Sequence, residues 1–349
     1  MKSAAVLIAL AAAVAAGPAL AAPALSVPAP AWGQGDEVGM GNTMGPASWA
    51  RCAPYLSQPG AKVYELSHPR GPAMPQSGFA GKMTYQYGPT RGLPHTAQAF
   101  NGDSLAGSQG SQGTRMNALG LFGYLEAPWD GKGDYPTADV RYYGGHRQEE
   151  VKPTPTSPLL KLGIDKVPPI VTSAVLLDAR AYLGKGEPLK AGVAISVADI
   201  EGMLKAQGLA KRGLLPGDAL FIYTGWEDHW ADPDAGKVYY AGDPGLSYEA
   251  AKYLASKAIV LVSLDNPFTD AVIGHDKPAV GNPPDLPWAV HHHNLTQAGV
   301  YQVQNGRFAE MAKDKVWLSC ALVLPLREQG STGSAVRPVA IGAPARTKP

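Results

Sequence analysis

The sequence predicts a mixed α/β fold in a single domain, and three observations support this fold class. Hydrophobic residues make up 45% of the 349 residues and charged residues 17%, which allows a sizeable core. Short apolar runs typical of buried strands alternate with only a few segments of clear helical spacing. The 41 glycines and 32 prolines are spread along the chain without a period, so we expect many turns and loops.

The first residues have the pattern of an export signal. Lys2 supplies a positive charge, residues 4–16 are apolar, and residues 19–21 have the small-x-small form of a cleavage site. An apolar stretch of about 13 residues is too short to cross a bilayer, which needs about 20. We therefore expect residues 1–21 to be a signal peptide, cleaved after Ala21, and the mature protein to be periplasmic or secreted.

The N-terminal half of the mature chain is expected to contain little regular structure. Residues 22–35 are rich in Pro, Ala and Gly, and they predict a flexible arm before one domain that covers residues 36–345. Its first elements are a helix over residues 46–56 and a strand over residues 61–66. Residues 71–113 are rich in Gly, Ser, Pro and Thr, which predicts loops with short strands.

The C-terminal half carries clearer patterns. Apolar side chains recur at helical spacing over residues 197–207, and a second helix is expected over residues 247–257. Apolar runs bounded by turn residues predict buried strands. These strands cover residues 170–177, 219–223, 258–264 and 317–325.

Charge and residue counts exclude some classes of function. Lys+Arg 30 against Asp+Glu 29 leaves a formal charge of +1, so we expect no nucleic-acid partner. No segment after the signal is apolar and long enough to suggest a membrane partner. Cys52 and Cys320 can pair in an oxidising compartment, but two widely spaced cysteines leave this open. In the triplet of residues 291–293, at most two histidines could converge on an extended chain.

Several segments, in unbroken order over roughly residues 31–343, match the pattern of one family. They are Asp36-Glu37-Val38-Gly39 with Asn42, Val175-Leu176-Leu177-Asp178, Thr224-Gly225-Trp226 with Trp230, and Thr332-Gly333-Ser334-Ala335-Val336-Arg337-Pro338. Together they resemble the putative cyclase superfamily, which includes kynurenine formamidase and isatin hydrolase. The resemblance implies a mixed-sheet swivelling β/β/α fold with a central β-barrel-like sheet. It also implies a homodimer or homotetramer.

The same resemblance implies metal-dependent hydrolysis of a cyclic amide, formamide or lactone, with the signature HxGTHxDxxxH. The stretch over residues 111–121 keeps the Gly-Thr of this signature. Ser111 and Arg115 stand where two histidine ligands belong, and Asn117 replaces an aspartate that can bridge two metals. Leu121 stands where the last histidine of the signature is expected.

A histidine and a glutamate twelve residues apart complete the family pattern, and here these positions are His292 and Gln304. Guanidinium has no free lone pair, and the two amides lack the negative charge that offsets a dication. We therefore expect no zinc or manganese at this site and no other cofactor.

These substitutions suggest an enzyme that has diverged from its family: a hydrolase or lyase for a small cyclic or carbonyl-bearing, anionic substrate, acting without the metal. In this hypothesis Arg115 binds the anion or polarises the carbonyl, and His292 is the general base. The residues expected to contact the substrate are Ser111, Asn117, Gln304, Tyr124 and Trp230.

Alternatives remain open on the sequence alone. Arg115 could fill the vacated site by pairing with Glu126, Asp265 or another carboxylate, in a catalytically inactive protein that binds a small anionic ligand. A metal-dependent arylformamidase could instead use a relocated metal site, built from His292, His68, His95 or Asp103. Trp226 is expected to pack in the core.

Overall fold

The computed structural model describes residues 32–231, 233–274, 277–278, 281–283 and 285–345. The expected signal peptide, residues 1–21, and its cleavage site lie outside these residues. Most of the expected arm, residues 22–35, also lies outside them, and its last residues, Trp32 to Gly35, are exposed to solvent.

Within the described residues the chain forms seventeen β-strands and seven α-helices. The strands are β1 (Lys62–Glu65), β2 (Thr84–Tyr87), β3 (Arg91–Gly92), β4 (Ala99–Phe100), β5 (Asp103–Ala106), β6 (Arg115–Asn117), β7 (Ile170–Asp178), β8 (Ala194–Ile195), β9 (Ala219–Tyr223), β10 (Gly245–Leu246), β11 (Leu261–Leu264), β12 (Val272–Gly274), β13 (Lys277–Pro278), β14 (Tyr301–Gln304), β15 (Leu318–Val323), β16 (Gly333–Ala335) and β17 (Val339–Gly342). The helices are α1 (Pro46–Ser57), α2 (Gln148–Val151), α3 (Ala179–Tyr182), α4 (Val197–Ala206), α5 (Tyr248–Ser256), α6 (Ala289–His292) and α7 (Ala309–Lys313).

Nine strands form one mixed sheet that curls strongly into a half-barrel. Their order is β1-β17-β15-β7-β9-β11-β14-β6-β16. The four central strands, β7, β9, β11 and β14, are parallel to one another. The flanking pairs are antiparallel. The mixed α/β class and the barrel-like sheet expected from the sequence are confirmed.

Each face of this sheet is covered by its own core. Along β9, Phe221 belongs to one hydrophobic cluster, whereas Leu220 and Ile222 belong to the other. Successive side chains of a strand point to opposite faces, so a strand buried on both sides must be apolar at every position. Helices α4 and α5 cover the second cluster with side chains such as Met203 and Leu254.

The predicted helices over residues 46–56, 197–207 and 247–257 correspond to α1, α4 and α5. The predicted strand over residues 258–264 begins only at Leu261, because Ala258 has a left-handed backbone (φ 54°) just after α5. The short strands β6 and β14 are not predicted by the sequence, and they are the strands that reach the candidate site.

The carboxyl ends of the parallel strands bring polar residues to one edge of the sheet. Thr224 directly follows β9, Asp265 directly follows β11, and Gln304 ends β14. Strand β6 runs antiparallel to β14 and places Arg115 directly opposite Gln304. In open α/β sheets the crevice beyond the carboxyl ends of the strands is the usual place for ligands.

Two links tie separate segments of the domain together. Cys52 of α1 and Cys320 of β15 form a disulfide with a Cα–Cα distance of 4.5 Å, which answers the question that the sequence left open. Near the start of the domain, the Asp36 carboxylate accepts hydrogen bonds from the backbone N–H of Gly39 (2.9 Å) and from the hydroxyl of Tyr143 (2.8 Å). The N-terminal motif of the family pattern therefore has a structural role here.

Strands β2 to β5 form an exposed hairpin, because β2 pairs with β5 and β3 pairs with β4. Aromatic side chains on it face solvent, with Tyr87 71% and Phe100 50% exposed. In the part of the chain that the structure describes, no helix has the length and apolar character needed to cross a membrane.

Candidate active site

A cavity of about 210 Å³ lies beside β6 and β14. Five positions of the sequence-predicted site line it: Ser111, Arg115, Asn117, Leu121 and Gln304. Aromatic side chains complete the lining, with the Phe268 and Trp288 rings 5.0 Å apart and the Phe79 ring meeting Trp288 edge-on at 5.9 Å. The cavity therefore combines a cationic and amide-bearing part with an apolar aromatic part.

Arg115 is 6% exposed, and its hydrogen-bond partners are neutral. Its Nη2 donates to the backbone carbonyl of Pro267 at 2.9 Å, and its Nη1 donates to the Tyr240 hydroxyl at 3.4 Å. Within the described residues, no carboxylate oxygen lies within 4 Å of this guanidinium. The alternative in which Arg115 pairs with Glu126 or Asp265 is therefore wrong.

Asp265 does not pair with Arg115, and other donors hold its carboxylate. It accepts hydrogen bonds from the backbone N–H (2.8 Å) and the hydroxyl (2.7 Å) of Thr224 and from the backbone N–H of Glu227 (3.3 Å). Burial raises the pKa of Asp265, and burial together with the charge of Asp265 raises the pKa of Glu227.

A second buried acid, Asp243, lies close enough to Arg115 for the two groups to interact electrostatically. Burial raises the pKa of Asp243 well above its ordinary value, and the nearby positive charge of Arg115 only partly opposes this effect. One carboxyl oxygen accepts the backbone N–H of Phe268 at 3.0 Å, and the other has no partner among the described residues.

His291 is the imidazole that faces the cavity. Its Nδ1 lies 2.5 Å from the Asp270 carboxylate, which also accepts the backbone N–H of Val290 (2.8 Å) and of His291 itself (3.1 Å). Because an ionised carboxylate can only accept, His291 donates from Nδ1 and keeps the lone pair on Nε2. That Nε2 accepts an N–H from Gln304 at 2.6 Å.

The expectation that His292 occupies this position is therefore wrong by one residue. The His292 Nδ1 lies 2.9 Å from the Thr296 hydroxyl, and its Nε2 lies 3.0 Å from the Gln297 amide. Burial lowers the pKa of His292 to about 4. The helix α6 continues directly into a π-helical turn, His293–Ala298. A π-turn holds more residues than an α-turn, so spacing along the sequence does not fix which adjacent histidine faces the cavity.

Two aromatic residues predicted to contact substrate lie elsewhere. The Tyr124 ring packs against His292, with 4.5 Å between ring centroids. Trp230 stacks on His68 at 4.3 Å. Trp226 is 5% exposed and donates its indole N–H to the carbonyl of Tyr239 at 3.0 Å, so the expected core packing of Trp226 is confirmed.

The residues considered for a relocated metal site do not converge. His95 and Asp103 are exposed on the hairpin, whereas His68 and His292 are buried against different partners. In the described part of the chain, no group of three or more His, Cys, Asp or Glu side chains is placed to hold a metal ion.

The donors around the cavity do not fit the zinc or manganese that the family resemblance implies. Among the described residues, the lining offers one imidazole, from His291, and no carboxylate. Arg115 cannot act as a ligand, and its fixed positive charge opposes a dication. The nearby carboxylate of Asp270 is already engaged by His291 and two backbone N–H groups.

The sequence alone does not point to Asp270, to His291 in place of His292, or to the aromatic lining from Phe79, Phe268 and Trp288. The histidine triplet is a sequence signal for His291. The direction of each side chain from the helix is also needed to tell which of the three histidines faces the cavity. Asp270 follows a short polar segment after β11, and no sequence spacing connects it to the triplet.

Comparisons with known proteins agree with this fold. The sequence profile of the family described as "Putative cyclase" matches residues 64–271. No curated protein has a detectable sequence match to the chain. A crystal structure of a novel cyclase is similar with a TM-score of 0.72 and 24% identity, covering 88% of this chain and 95% of that one.

Isatin hydrolases are also similar in structure. Isatin hydrolase A from Ralstonia solanacearum has a TM-score of 0.54 and 17% identity, over 83% of this chain and 95% of that one. An isatin hydrolase bound to the product analogue thioisatinate has a TM-score of 0.55 and 18% identity, over 84% and 96%. At these low sequence identities, the similarity to the isatin hydrolases concerns the fold alone.

Proposed function

The chain belongs to the putative cyclase family, and we propose that it is an exported, divergent hydrolase or lyase that works without the family metal. Its substrate is a small, flat molecule with a carbonyl group and a negative charge. One observation carries the proposal. The buried guanidinium of Arg115, which has no carboxylate partner among the described residues, lines the same cavity as His291, whose Nδ1 is held by Asp270.

The charge of the cavity supports an anionic substrate. A buried guanidinium without an anionic partner is costly, and a bound carboxylate or polarised carbonyl would relieve that cost with charge-assisted hydrogen bonds. The aromatic lining supports a flat ring. The cavity volume of about 210 Å³ is below the range of roughly 300–1,000 Å³ that holds drug-sized ligands, which supports a small molecule.

In the hydrolytic form of the proposal, Arg115 polarises the substrate carbonyl and stabilises the oxyanion that forms on it. The Nε2 of His291 removes a proton from a water molecule, whose oxygen attacks the carbonyl carbon. The C–N or C–O bond to the leaving group then breaks, and the protonated His291 returns the proton to the departing nitrogen or oxygen. Asn117 and Ser111, which line the same cavity, hydrogen-bond the substrate in this proposal. Gln304 turns away from Nε2 during this step.

A binding protein without catalysis is the second candidate, and one observation favours it. The Gln304 amide donates to the Nε2 of His291 at 2.6 Å and so occupies its lone pair. A general base needs that lone pair free to accept a proton. In this alternative Arg115 and Gln304 fix an anionic ligand that is released unchanged.

Export and assembly are part of the proposal. The charged and apolar pattern of residues 1–21 supports export to the periplasm or the exterior. The disulfide between Cys52 and Cys320 supports an oxidising compartment. Exposed aromatic residues on the hairpin support a homodimer or homotetramer, which light scattering of the mature protein measures.

The test begins with the mature protein as purified. Elemental analysis measures zinc and manganese, and a panel of cyclic amides, lactones and formamides that carry a carboxylate is screened for turnover by mass spectrometry. We expect turnover of at least one compound with less than one metal ion in ten chains. Stoichiometric metal that chelation removes together with activity would overturn the proposal. Compounds that bind without turnover would favour the second candidate.

Matched variants test the roles of the two adjacent histidines. We expect His291→Gln to lower kcat by about 10²–10⁴-fold, because it removes the base. His292→Gln, one residue away, is the control and should keep kcat within a few-fold. Arg115→Ala should weaken substrate binding or kcat/KM by at least tenfold. Equal effects of the two histidine variants, or unaltered binding by Arg115→Ala, would contradict the proposed roles.

A further inference from the structure

A second, larger cavity lies outside the candidate active site. It has a volume of about 540 Å³ and is open to solvent. Thr114 lines it, whereas Arg115, the next residue, lines the candidate active site. Because successive side chains of an extended chain point to opposite faces, the two cavities are separated by the start of β6. We call the second cavity the arginine groove, after Arg70, Arg307 and Arg337, which line it.

The arginine groove carries an excess of positive charge. Among the described residues of its lining, Glu65 is the one acid. Arg337 already pairs with it, with 2.7 Å from both Nε and Nη2 to Oε2. Within the described residues, neither Arg70 nor Arg307 has a carboxylate within 4 Å. Two guanidinium groups are therefore available to an anion. The charge of Arg307 reaches the buried His68 beside it and contributes, after burial, to the lowered pKa of that histidine.

The side chain of Arg70 packs closely against the backbone of Gly113. Gly113 has a left-handed backbone (φ 69°), and a Cβ there would lie 3.1 Å from the Cγ and 3.2 Å from the Nε of Arg70. The Nε is buried and has no hydrogen-bond partner among the described residues. The one hydrogen bond of this guanidinium, from Nη2 to the carbonyl of Gln109, is long at 3.4 Å. Apart from this bond, the Nη donors of Arg70 make no hydrogen bond to the described residues.

Apolar side chains complete the groove. Leu324 and Leu326 line it and are 51% and 53% exposed, beside the buried Val336. An inorganic anion alone would leave this surface exposed to water. A ligand that joins an anionic head to an apolar group would pair with the guanidinium groups and cover the leucines.

We propose that the arginine groove is a binding site, separate from the candidate active site, for a small organic dianion. The ligand class is a phosphate monoester or a dicarboxylate with an attached apolar or aromatic group. Two free guanidinium groups match two negative charges, and the planar fork of arginine suits bidentate contact with such oxyanions.

Phenyl phosphate is the probe, measured by isothermal titration calorimetry with the mature protein. We expect it to bind at least fivefold more tightly than inorganic phosphate, since only the ester can cover Leu324 and Leu326. Arg70→Gln and Arg307→Gln should each lower its affinity at least fivefold, and Arg307→Lys should lose less than Arg307→Gln. Arg91→Gln, on the exposed hairpin, is the charge-matched control and should bind as the wild type does.

Three results would overturn the proposal. The first is absence of phenyl phosphate binding in 50 mM salt. The second is binding that survives Arg70→Gln and Arg307→Gln but is lost in Arg115→Gln, which would assign the probe to the candidate active site. The third is arginine-dependent binding to vesicles of dioleoyl phosphatidate without binding of the soluble ester, which would assign the groove to a lipid surface.

Discussion

A guanidinium in place of an imidazole reverses the electrostatics of the cavity beside β6 and β14. A metal site needs lone pairs and negative charge, whereas Arg115 offers neither and attracts anions. Its hydrogen-bond partners among the described residues are the neutral carbonyl of Pro267 and the hydroxyl of Tyr240, while Thr224 and Glu227 engage Asp265. The ligand of this cavity is therefore expected to supply the missing negative charge.

Asp270 is predicted to set the tautomer of His291. In the wild type, His291 donates from Nδ1 to the carboxylate, so Nε2 carries the lone pair. In Asp270→Asn, the amide can present its N–H to Nδ1, and the ring proton moves to Nε2. We expect a loss of about 10²–10⁴-fold in kcat, as for other base-orienting aspartates.

Nitrogen-15 chemical shifts of the His291 ring measure this tautomer without a substrate. The wild type should give the pattern of an Nδ1–H imidazole, and Asp270→Asn the pattern of an Nε2–H imidazole. The His292 signals should stay unchanged, because that ring contacts Thr296 and Gln297. The same His291 tautomer in both proteins would contradict the prediction.

The sequence predicts which residues belong to the site better than it predicts where their side chains point. The substitutions at Ser111, Arg115, Asn117 and Leu121 were visible, and all four side chains line one cavity. The choice between His291 and His292 depends on the turn geometry after α6, which adjacent identical residues do not encode. Asp270 was missed because its partner is twenty-one residues away and the contact is tertiary.

The π-helical turn that follows α6 is held by a close backbone contact. A Cβ on Gly299 would lie 2.8 Å from the Cα of Gly39, and a Cβ on Gly39 would lie 2.5 Å from the carbonyl oxygen of Gly299. The backbone N–H of Met40 donates to that same carbonyl at 2.8 Å. Only glycine at both positions allows this approach, so the N-terminal motif helps to position the helix that carries His291.

Gly299→Ala is predicted to lower the free energy of unfolding by about 2–4 kcal/mol, since it combines a backbone clash with a positive φ of 69°. Urea unfolding followed by circular dichroism measures the change. Gly236→Ala is the control, because a Cβ there meets nothing closer than 3.4 Å, and it should shift stability by less than about 1 kcal/mol. A similar loss in both variants would contradict the assigned contact.

Elements with a clear local apolar pattern could be predicted, whereas the strands that reach the candidate site could not. Helices α1, α4 and α5 and strands β7 and β9 have enough apolar periodicity to be recognised locally. Strands β6 and β14 are three and four residues long, and their pairing, with Arg115 opposite Gln304, depends on the sheet around them. The sequence therefore predicts which residues replace the family's site residues, but it does not predict how those residues are arranged in space.

At the scale of the whole molecule, the fold buries several histidines in their neutral form. Burial lowers the pKa of His68, His292 and His293 to about 4. In the unfolded chain the pKa of histidine is about 6.5. Between these values the unfolded chain binds protons that the folded chain does not, so acidification favours unfolding. This stabilisation is complete above about pH 6.5 and is lost as the pH falls toward 4.

His293→Gln is predicted to weaken this pH dependence. His293 is outside the lining of both cavities, and its Nε2 has no partner among the described residues. One histidine proton changes the free energy of unfolding by at most about 1.4 kcal/mol per pH unit. Urea unfolding at pH 7 and pH 5 should show that the variant loses about 1 kcal/mol less than the wild type on acidification. His95→Gln, on the exposed hairpin, is the control and should lose as much as the wild type. If His293→Gln and the wild type lost the same free energy of unfolding on acidification, His293 would not contribute to the pH dependence of stability.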